Sequence, residues 1–356
     1  MSERIQQLKE RLHYKSSVAW GSEHGHFKSD ASIIPHLRPE TKLCLERTRL
    51  VTKSYQASEG EPTPIRRAKA LKHVLENMTI YIDEGELIVG NFASDRKSLP
   101  IYPECVHRWV KKALNNGYKD LLTDEGKKEY MEMDGYWQQR SFTDKVIAAV
   151  PKNLRPYIFY NGANSADHFA GWRAAEILNI EKVLKLGLKG LISQIDNRIE
   201  ELETNVIGMP AQDYIEQRNN LEAMRISLQA AIDFAKRYAT LAQEMAKEEE
   251  NEKRREELLK IAEVCERVPQ NPARTLHEAI QSYFFCNLIA KAIEINGQGA
   301  GDRVDVLFNP YYQKDKAEGK TTRQEAIELI ECLHLKMAER GHLNDPEGMT
   351  YYEGLA

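Results

Sequence analysis

Apolar residues along this chain recur mostly in steps of three and four, the spacing of a helix face. The longest run passes through Leu221, Met224, Leu228, Ile232, Ala235, Tyr238, Leu241 and Met245 and predicts one long amphipathic helix. A second stripe, Ile180, Val183, Leu184, Leu188 and Leu191, predicts a helix that starts near Asn179. Thr63-Pro64 combines a capping oxygen with a proline suited to the first turn, ahead of Ala68, Leu71, Val74 and Leu75. Thr275 with Glu278, and Thr322 with Glu325, have capping-box spacing and open helices through Phe284 and Ile289 and through Ile330 and Leu335. Glu244 to Glu257 holds seven acidic and four basic residues, and Glu249–Lys253 and Glu250–Arg254 have i,i+4 spacing. That stretch reads as a solvated continuation of the long helix. Strand signals are few: Glu86–Gly90, and the alternating Arg303–Phe308 that ends at Asn309-Pro310. Gly, Pro and Asn collect at 57–64, 150–165 and 296–302 as loops, with no repeat and no low-complexity linker.

Composition narrows the class. A chain of 356 residues, 42% hydrophobic and 29% charged, is long and apolar enough for a large folded unit. A net charge of -4 supplies no basic field for nucleic acid. The start has no signal-peptide apolar core, and Tyr283–Ile295 is too short and too polar to span a bilayer, so a cytoplasmic location and no membrane are expected. Five cysteines, at 44, 105, 265, 286 and 332, are too scattered for a disulfide framework or a clustered metal site.

Candidate chemistry is sparse. Gly297, Gly299 and Gly301 form GxGxG, but they follow a helix instead of a strand and read as a turn rather than a dinucleotide loop. His24 and His26 lack a nearby third ligand. Cys44 and Glu46 fall on an expected helix whose side chains diverge. The segment Tyr157–Trp172 stands out, because Asn161, Asn164, Ser165, Asp167 and His168 are concentrated between aromatics before a helix. Such polar groups on an apolar-anchored loop suit a substrate-facing site, and a helix cap with a packed histidine remains the alternative.

Four segments together resemble the glycyl radical enzymes, the pyruvate formate-lyase-like superfamily. They are Pro64–Leu71 (PIRRAKAL) with Asp83–Gly90 (DEGELIVG), Lys97–Glu104 (KSLPIYPE), Ile180–Gly190 (IEKVLKLGLKG), and Pro269–Gln281 with Arg303–Asp305 and Asn309–Tyr312. Their order and spacing both agree with the family, and the central blocks resemble its dehydratase and decarboxylase branch. The resemblance implies a helix-rich α/β fold, the N-terminal part of a ten-stranded α/β barrel. It divides the chain into an N-terminal extension, 1–44, and a pyruvate formate-lyase-like portion, 45–356, truncated at its C-terminus.

The resemblance also implies a function. In the family, an S-adenosylmethionine-dependent activating enzyme installs an organic glycyl radical, which oxidises a buried cysteine to a thiyl that takes hydrogen from the substrate. No other bound cofactor and no metal are implied. Neither Gly-Cys-x-Glu nor Arg-Val-x-Gly-Tyr occurs in this sequence, so no catalytic residue is assigned to it. The substrate-binding residues carried over are His168 with Asn161 and Asp167, and Asn296 and Gln298 beside Ala300, where several dehydratases have serine. Arg303 and Asp305 are expected to position a strand end. Gly348–Ala356 reads as a chain interrupted.

The expectation is therefore a lyase acting on a small oxygenated substrate, with its reactive Cys and Gly on a missing C-terminal half or a partner chain. The expected partners are that half, the small-molecule substrate and the activating enzyme, with a homodimer when complete. The rival expectation is a degenerate or split subunit that acts as a scaffold. In either case the isolated chain is expected to aggregate or to recruit a partner, through the edges its other half should cover.

Overall fold

The structure is a computed structural model that describes residues 2–9, 42–105, 110–111, 114, 120–154, 178–294 and 302–339. In order, its elements are α1 (Glu3–Lys9), β1 (Lys42–Cys44), α2 (Glu46–Ala57), α3 (Thr63–Asn77), β2 (Ser98–Pro100), α4 (Asp124–Trp137) and α5 (Phe142–Ala149). They continue as α6 (Ile180–Thr204), α7 (Ala211–Glu248), α8 (Glu252–Arg267), α9 (Leu276–Leu288), a π-helical turn (Ile289–Ile293), α10 (Val304–Ala317) and α11 (Arg323–Ala338). Helix dominates, as the periodicity predicts. Among the described residues the only sheet is a parallel pair, with Lys42, Leu43 and Cys44 opposite Ser98, Leu99 and Pro100. None of the described helices is long and apolar enough to cross a membrane.

The long helix α7 is the axis of the fold and packs against α3, α6 and α8. Its buried face is largely alanine, at 230, 231, 235, 239, 242 and 246, so neighbouring backbones can approach closely. Bulk is concentrated in one aromatic cluster, where Phe234, Tyr238 and Phe285 lie with ring centroids 5.2 to 6.0 Å apart. Burying each such ring contributes roughly 1.5–3 kcal/mol before entropy is counted.

Several expectations need correction. Arg303–Phe308 is helical. The residues that pack on the core are Val304, Leu307, Phe308, Tyr311 and Tyr312, a helical stripe, while Val306, which alternation would bury, is 57% exposed. Arg303 and Asp305 form a bidentate pair at 2.8 and 2.9 Å across the start of α10, not at a strand end. Thr63 does not cap α3; it is the first helical residue, and Pro62 precedes it without a side-chain cap. Cys44 ends β1 instead of lying on a helix.

The stretch Glu244–Glu257 is not one helix either. The chain breaks after Glu248, and Asn251 recaps α8 by accepting from the Arg254 amide at 3.0 Å. The break separates Glu249 from Lys253 and Glu250 from Arg254, so neither expected helical pair can share a face. Arg254 is instead buried. At the other caps, Thr322 and Glu325 form the full capping box, whereas Glu278 accepts from the Arg274 amide and only the Thr275 half of its box is made. Asn179 caps α6 as the stripe predicts.

Glu86–Gly90 is not a strand, and its backbone explains why. Segment 79–93 runs through the interior with no ladder partner, so its buried amides and carbonyls must be satisfied from elsewhere. Gln281 on α9 does both for Val89, accepting from its amide at 2.9 Å and donating to its carbonyl at 2.8 Å. His277 Nε2 donates to the Leu87 carbonyl at 2.9 Å. Arg254 donates to the carbonyls of Glu86 and Asp83 at 2.9 and 3.0 Å, and Arg4 to that of Gly85 at 2.8 Å. The Tyr238 hydroxyl accepts from the Asn91 amide and donates to the Asn91 side chain. At Gly90, with φ +144°, a Cβ would sit 2.7 Å from Leu288 and 2.8 Å from Phe284, so only glycine fits.

Candidate functional site

A cleft of about 770 Å³ opens between α3, α6, α7 and the end of α9. Its walls are mainly apolar, from Ala68 and Leu71, Val183 and Leu191, and Leu221 and Leu228, with Cys286 and Ile289 beneath. Its size and lining fall in the range of small-molecule sites. Gly187 shapes one side. With φ +67° it breaks the α6 hydrogen-bond ladder, so that Leu188 and Lys189 donate to the carbonyls of Pro269 and Gln270 at 2.8 and 3.0 Å. A Cβ there would lie 2.4 Å from the Gln270 carbonyl oxygen.

The other side ends at a buried polar anchor. The π-helical turn finishes at Glu294, where terminal carbonyls lack intrahelical donors. Three successive carbonyls receive side-chain donors: Ala292 from the Tyr102 hydroxyl, Ile293 from Arg47 Nε at 2.5 Å, and Glu294 from Arg47 Nη2 at 2.8 Å. Arg47 is only 4% exposed, lies 4.2 Å over the Tyr102 ring and pairs with Glu104. Burial opposes its charge, yet Glu104 more than offsets this and raises its pKa, so the guanidinium stays protonated. The Glu294 carboxylate itself pairs with Arg67 of α3.

The five expected substrate-binding residues, Asn161, Asp167, His168, Asn296 and Gln298, lie outside the described residues, as do His24, His26 and the three glycines 297, 299 and 301. The described chain flanks the first segment at Leu154 and Leu178 and the second at Glu294 and Asp302, and Leu154 and Asp302 do not line the cleft. Both Leu178 and Glu294 line the same cleft. Arg47, Tyr102 and Cys286 were not singled out as site residues from the sequence. A signal for Arg47 was present: it shares the buried stripe Arg47, Thr48, Val51, Thr52, a charged residue on the face that carries the core.

Four of the five cysteines sit where burial disfavours the thiolate. All five are free thiols, and burial pushes Cys286 and Cys332 up to about 12 and raises Cys105 and Cys265, which keeps them protonated. The described residues contain no group of three His, Cys, Asp or Glu side chains that could hold a metal. The sequence also lacks both segments in which the glycyl radical and its partner cysteine reside in the resembling family, so these 356 residues do not themselves fit that group.

Comparison with known proteins defines the relationship. The family model described as pyruvate formate lyase-like matches residues 1–356. Isethionate sulfite-lyase of Nitratidesulfovibrio vulgaris is 32% identical over 330 residues, 88% of this chain and 39% of that protein. Trans-4-hydroxy-L-proline dehydratase of Clostridioides difficile is 33% identical over 310 residues, 84% of this chain and 38% of that protein. A structure from work on 1,2-propanediol dehydration in Roseburia inulinivorans superposes with a TM-score of 0.83 at 30% identity, covering 97% of this chain and 40% of that one. The chain thus spans about two fifths of the length of the relatives it matches. With the family model matching every residue and the fold shared, the chain belongs to the pyruvate formate-lyase-like family of glycyl radical enzymes.

Proposed function

We propose that this chain forms the substrate-side portion of a glycyl radical lyase of the dehydratase, decarboxylase or C–C lyase type, acting on a small oxygenated organic molecule. The observation that carries the reading is the 0.83 TM-score over 97% of the chain to a structure from work on propanediol dehydration. Matches to an isethionate sulfite-lyase and a hydroxyproline dehydratase favour the same substrate class, molecules of a few carbons with a hydroxyl group. The reactive cysteine and the radical glycine belong to polypeptide outside these 356 residues, with a radical-activating enzyme as the further partner. The substrate contacts proposed are Asn161, Asp167, His168, Asn296 and Gln298, whose segments are followed in sequence by Leu178 and preceded by Glu294, two residues of the cleft lining.

The test is reconstitution under anaerobic conditions. The chain is mixed with a polypeptide that carries Gly-Cys-x-Glu and Arg-Val-x-Gly-Tyr and with an activating enzyme, then offered isethionate, trans-4-hydroxy-L-proline and propane-1,2-diol. The proposal expects turnover of at least one compound that depends on this chain and drops at least tenfold with His168→Ala. Activity of the other polypeptide that is unchanged by omitting this chain would contradict the proposal and leave the scaffold reading.

A further inference from the structure

We propose that Arg47 is a positioning residue for the substrate side of the site, fixing the end of the π-helical turn at Glu294. This rests on the reading that the residues just beyond Glu294, Asn296 and Gln298 among them, face substrate. The argument starts from the end of the π-helical turn. An ordinary helix end leaves its last carbonyls to water or to local turns, and its partial negative charge favours a cation nearby. Here a single buried guanidinium, with its ring partner Tyr102, takes the carbonyls of residues 292, 293 and 294 in succession. Glu104 neutralises that guanidinium from the opposite side, while Nη1 reaches the Ile101 carbonyl at 3.4 Å. Arg67 holds the Glu294 side chain from α3.

The anchoring groups therefore come from three separate stretches, around residues 47, 67 and 101–104, and all converge on residues 292–294. A guanidinium is suited to the task because its planar fork directs several donors at once and stays charged when buried. A lysine could reach one of these oxygens but could not hold two carbonyls and a carboxylate at fixed angles.

The experiment measures hydrogen exchange by mass spectrometry in the full chain and in the Arg47→Met and Arg47→Lys variants. It compares a peptide covering 289–294 with one covering 234–242 in the core of α7. Arg47→Met keeps the apolar stem over Tyr102 and removes every donor. Expected is a 10- to 100-fold faster exchange in the 289–294 peptide with the α7 peptide unchanged, and an intermediate effect for Arg47→Lys. Tyr102→Phe, which removes only the hydroxyl on the Ala292 carbonyl, gives a smaller acceleration confined to the same peptide and serves if Arg47→Met fails to fold. A uniform rise in both peptides, or none in either, overturns the proposal.

The same peptides are then read with isethionate, trans-4-hydroxy-L-proline and propane-1,2-diol. Protection in the unmodified chain that Arg47→Met abolishes joins the anchor to the site. Absence of protection in the unmodified chain counts against the substrate reading alone, because the ligand-free exchange difference still decides the anchor.

Discussion

Two regions of this molecule are held together by opposite means. Segment 79–96 is irregular and largely buried, and it is fixed by charged and polar side chains that arrive from six helices. The hairpin formed by the second half of α6 and the first half of α7 is regular and exposed, and little holds it. Between Lys189 and Glu222, Leu202 is the one fully buried residue, whereas Ile207 is 95% exposed and Ile215 55% exposed. The hairpin's ion pairs, such as Arg218–Glu203 at 3.2 Å and Arg225–Glu222 at 2.7 Å, are local and solvated.

The irregular segment holds a different kind of charge. Glu86 is 1% exposed and receives Lys336 at 2.8 Å together with Arg96. Arg96 also meets Asp83 and Glu339, and Lys336 meets Glu339 at 2.8 Å. Five charges thus lock the segment to the end of α11. A helix satisfies its own backbone and can project with few contacts, but a buried non-repetitive segment depends on partners far away in sequence.

The sharpest way to break this contrast is Arg96→Met. It removes one of two cations from three carboxylates, and breaking a buried ion pair in this way costs about 3–5 kcal/mol. Urea denaturation should show a loss of that size, and a loss no larger than that from a hairpin variant would refute the contrast. Gly187→Ala comes next. A Cβ in a left-handed backbone, 2.4 Å from a carbonyl oxygen, should lower stability by about 2–4 kcal/mol through strain and overpacking.

Acid should find the same region first. Burial holds His277 below its ordinary 6.5, so the unfolded chain binds that proton more readily, and stability falls as pH drops below 6.5. Glu86, Glu257 and Glu278 are held below 4.5 despite burial, by Lys336 and Arg96, by Arg4 and Arg254, and by Arg274. Their contribution is present above 4.5 and is lost as pH falls further. Melting temperatures between pH 7 and 5 should therefore decline, and His277→Gln should flatten that decline. A slope unaffected by the variant would remove His277 from the account. Smallest of all is Arg225→Ala on the hairpin, expected to change stability by no more than about 0.5 kcal/mol in the same urea assay.

This contrast also explains what the sequence disclosed. Apolar periodicity gave α7 and α6 and the Asn179 cap, because a helix writes its own geometry into local spacing. It failed at Glu86–Gly90, where a short apolar run looks like a strand although Gln281, His277 and Arg254 supply what a ladder would. It failed at Arg303–Phe308, where a period of two in Val304, Val306 and Phe308 masked the helical set that includes Leu307, Tyr311 and Tyr312. Arg254, which the charge pattern places on a solvated face, is buried for the same reason. It heads the stripe that continues through Leu258, Ile261 and Cys265, but the two carbonyls it bonds, of Asp83 and Glu86, lie 171 and 168 residues away.

The family resemblance rested on segments whose work in this chain is architectural. Gly90 and Gly187 permit close approaches, the run Lys97–Glu104 supplies β2, Tyr102 and Glu104 around Arg47, and Pro269–Gln281 meets both the α6 break and segment 79–93. The family was legible because these constraints are strict. The reacting groups were not, because the residues that carry them elsewhere in the family do not occur in this sequence.

Under the proposed function this chain supplies the family's architecture, and the radical resides on another stretch of polypeptide. Electron paramagnetic resonance after anaerobic incubation with an S-adenosylmethionine-dependent activating enzyme tests it most directly. The account predicts no organic radical signal from the chain alone, and a glycyl signal once a polypeptide bearing Arg-Val-x-Gly-Tyr is added. A glycyl radical formed on the isolated 356-residue chain would contradict it.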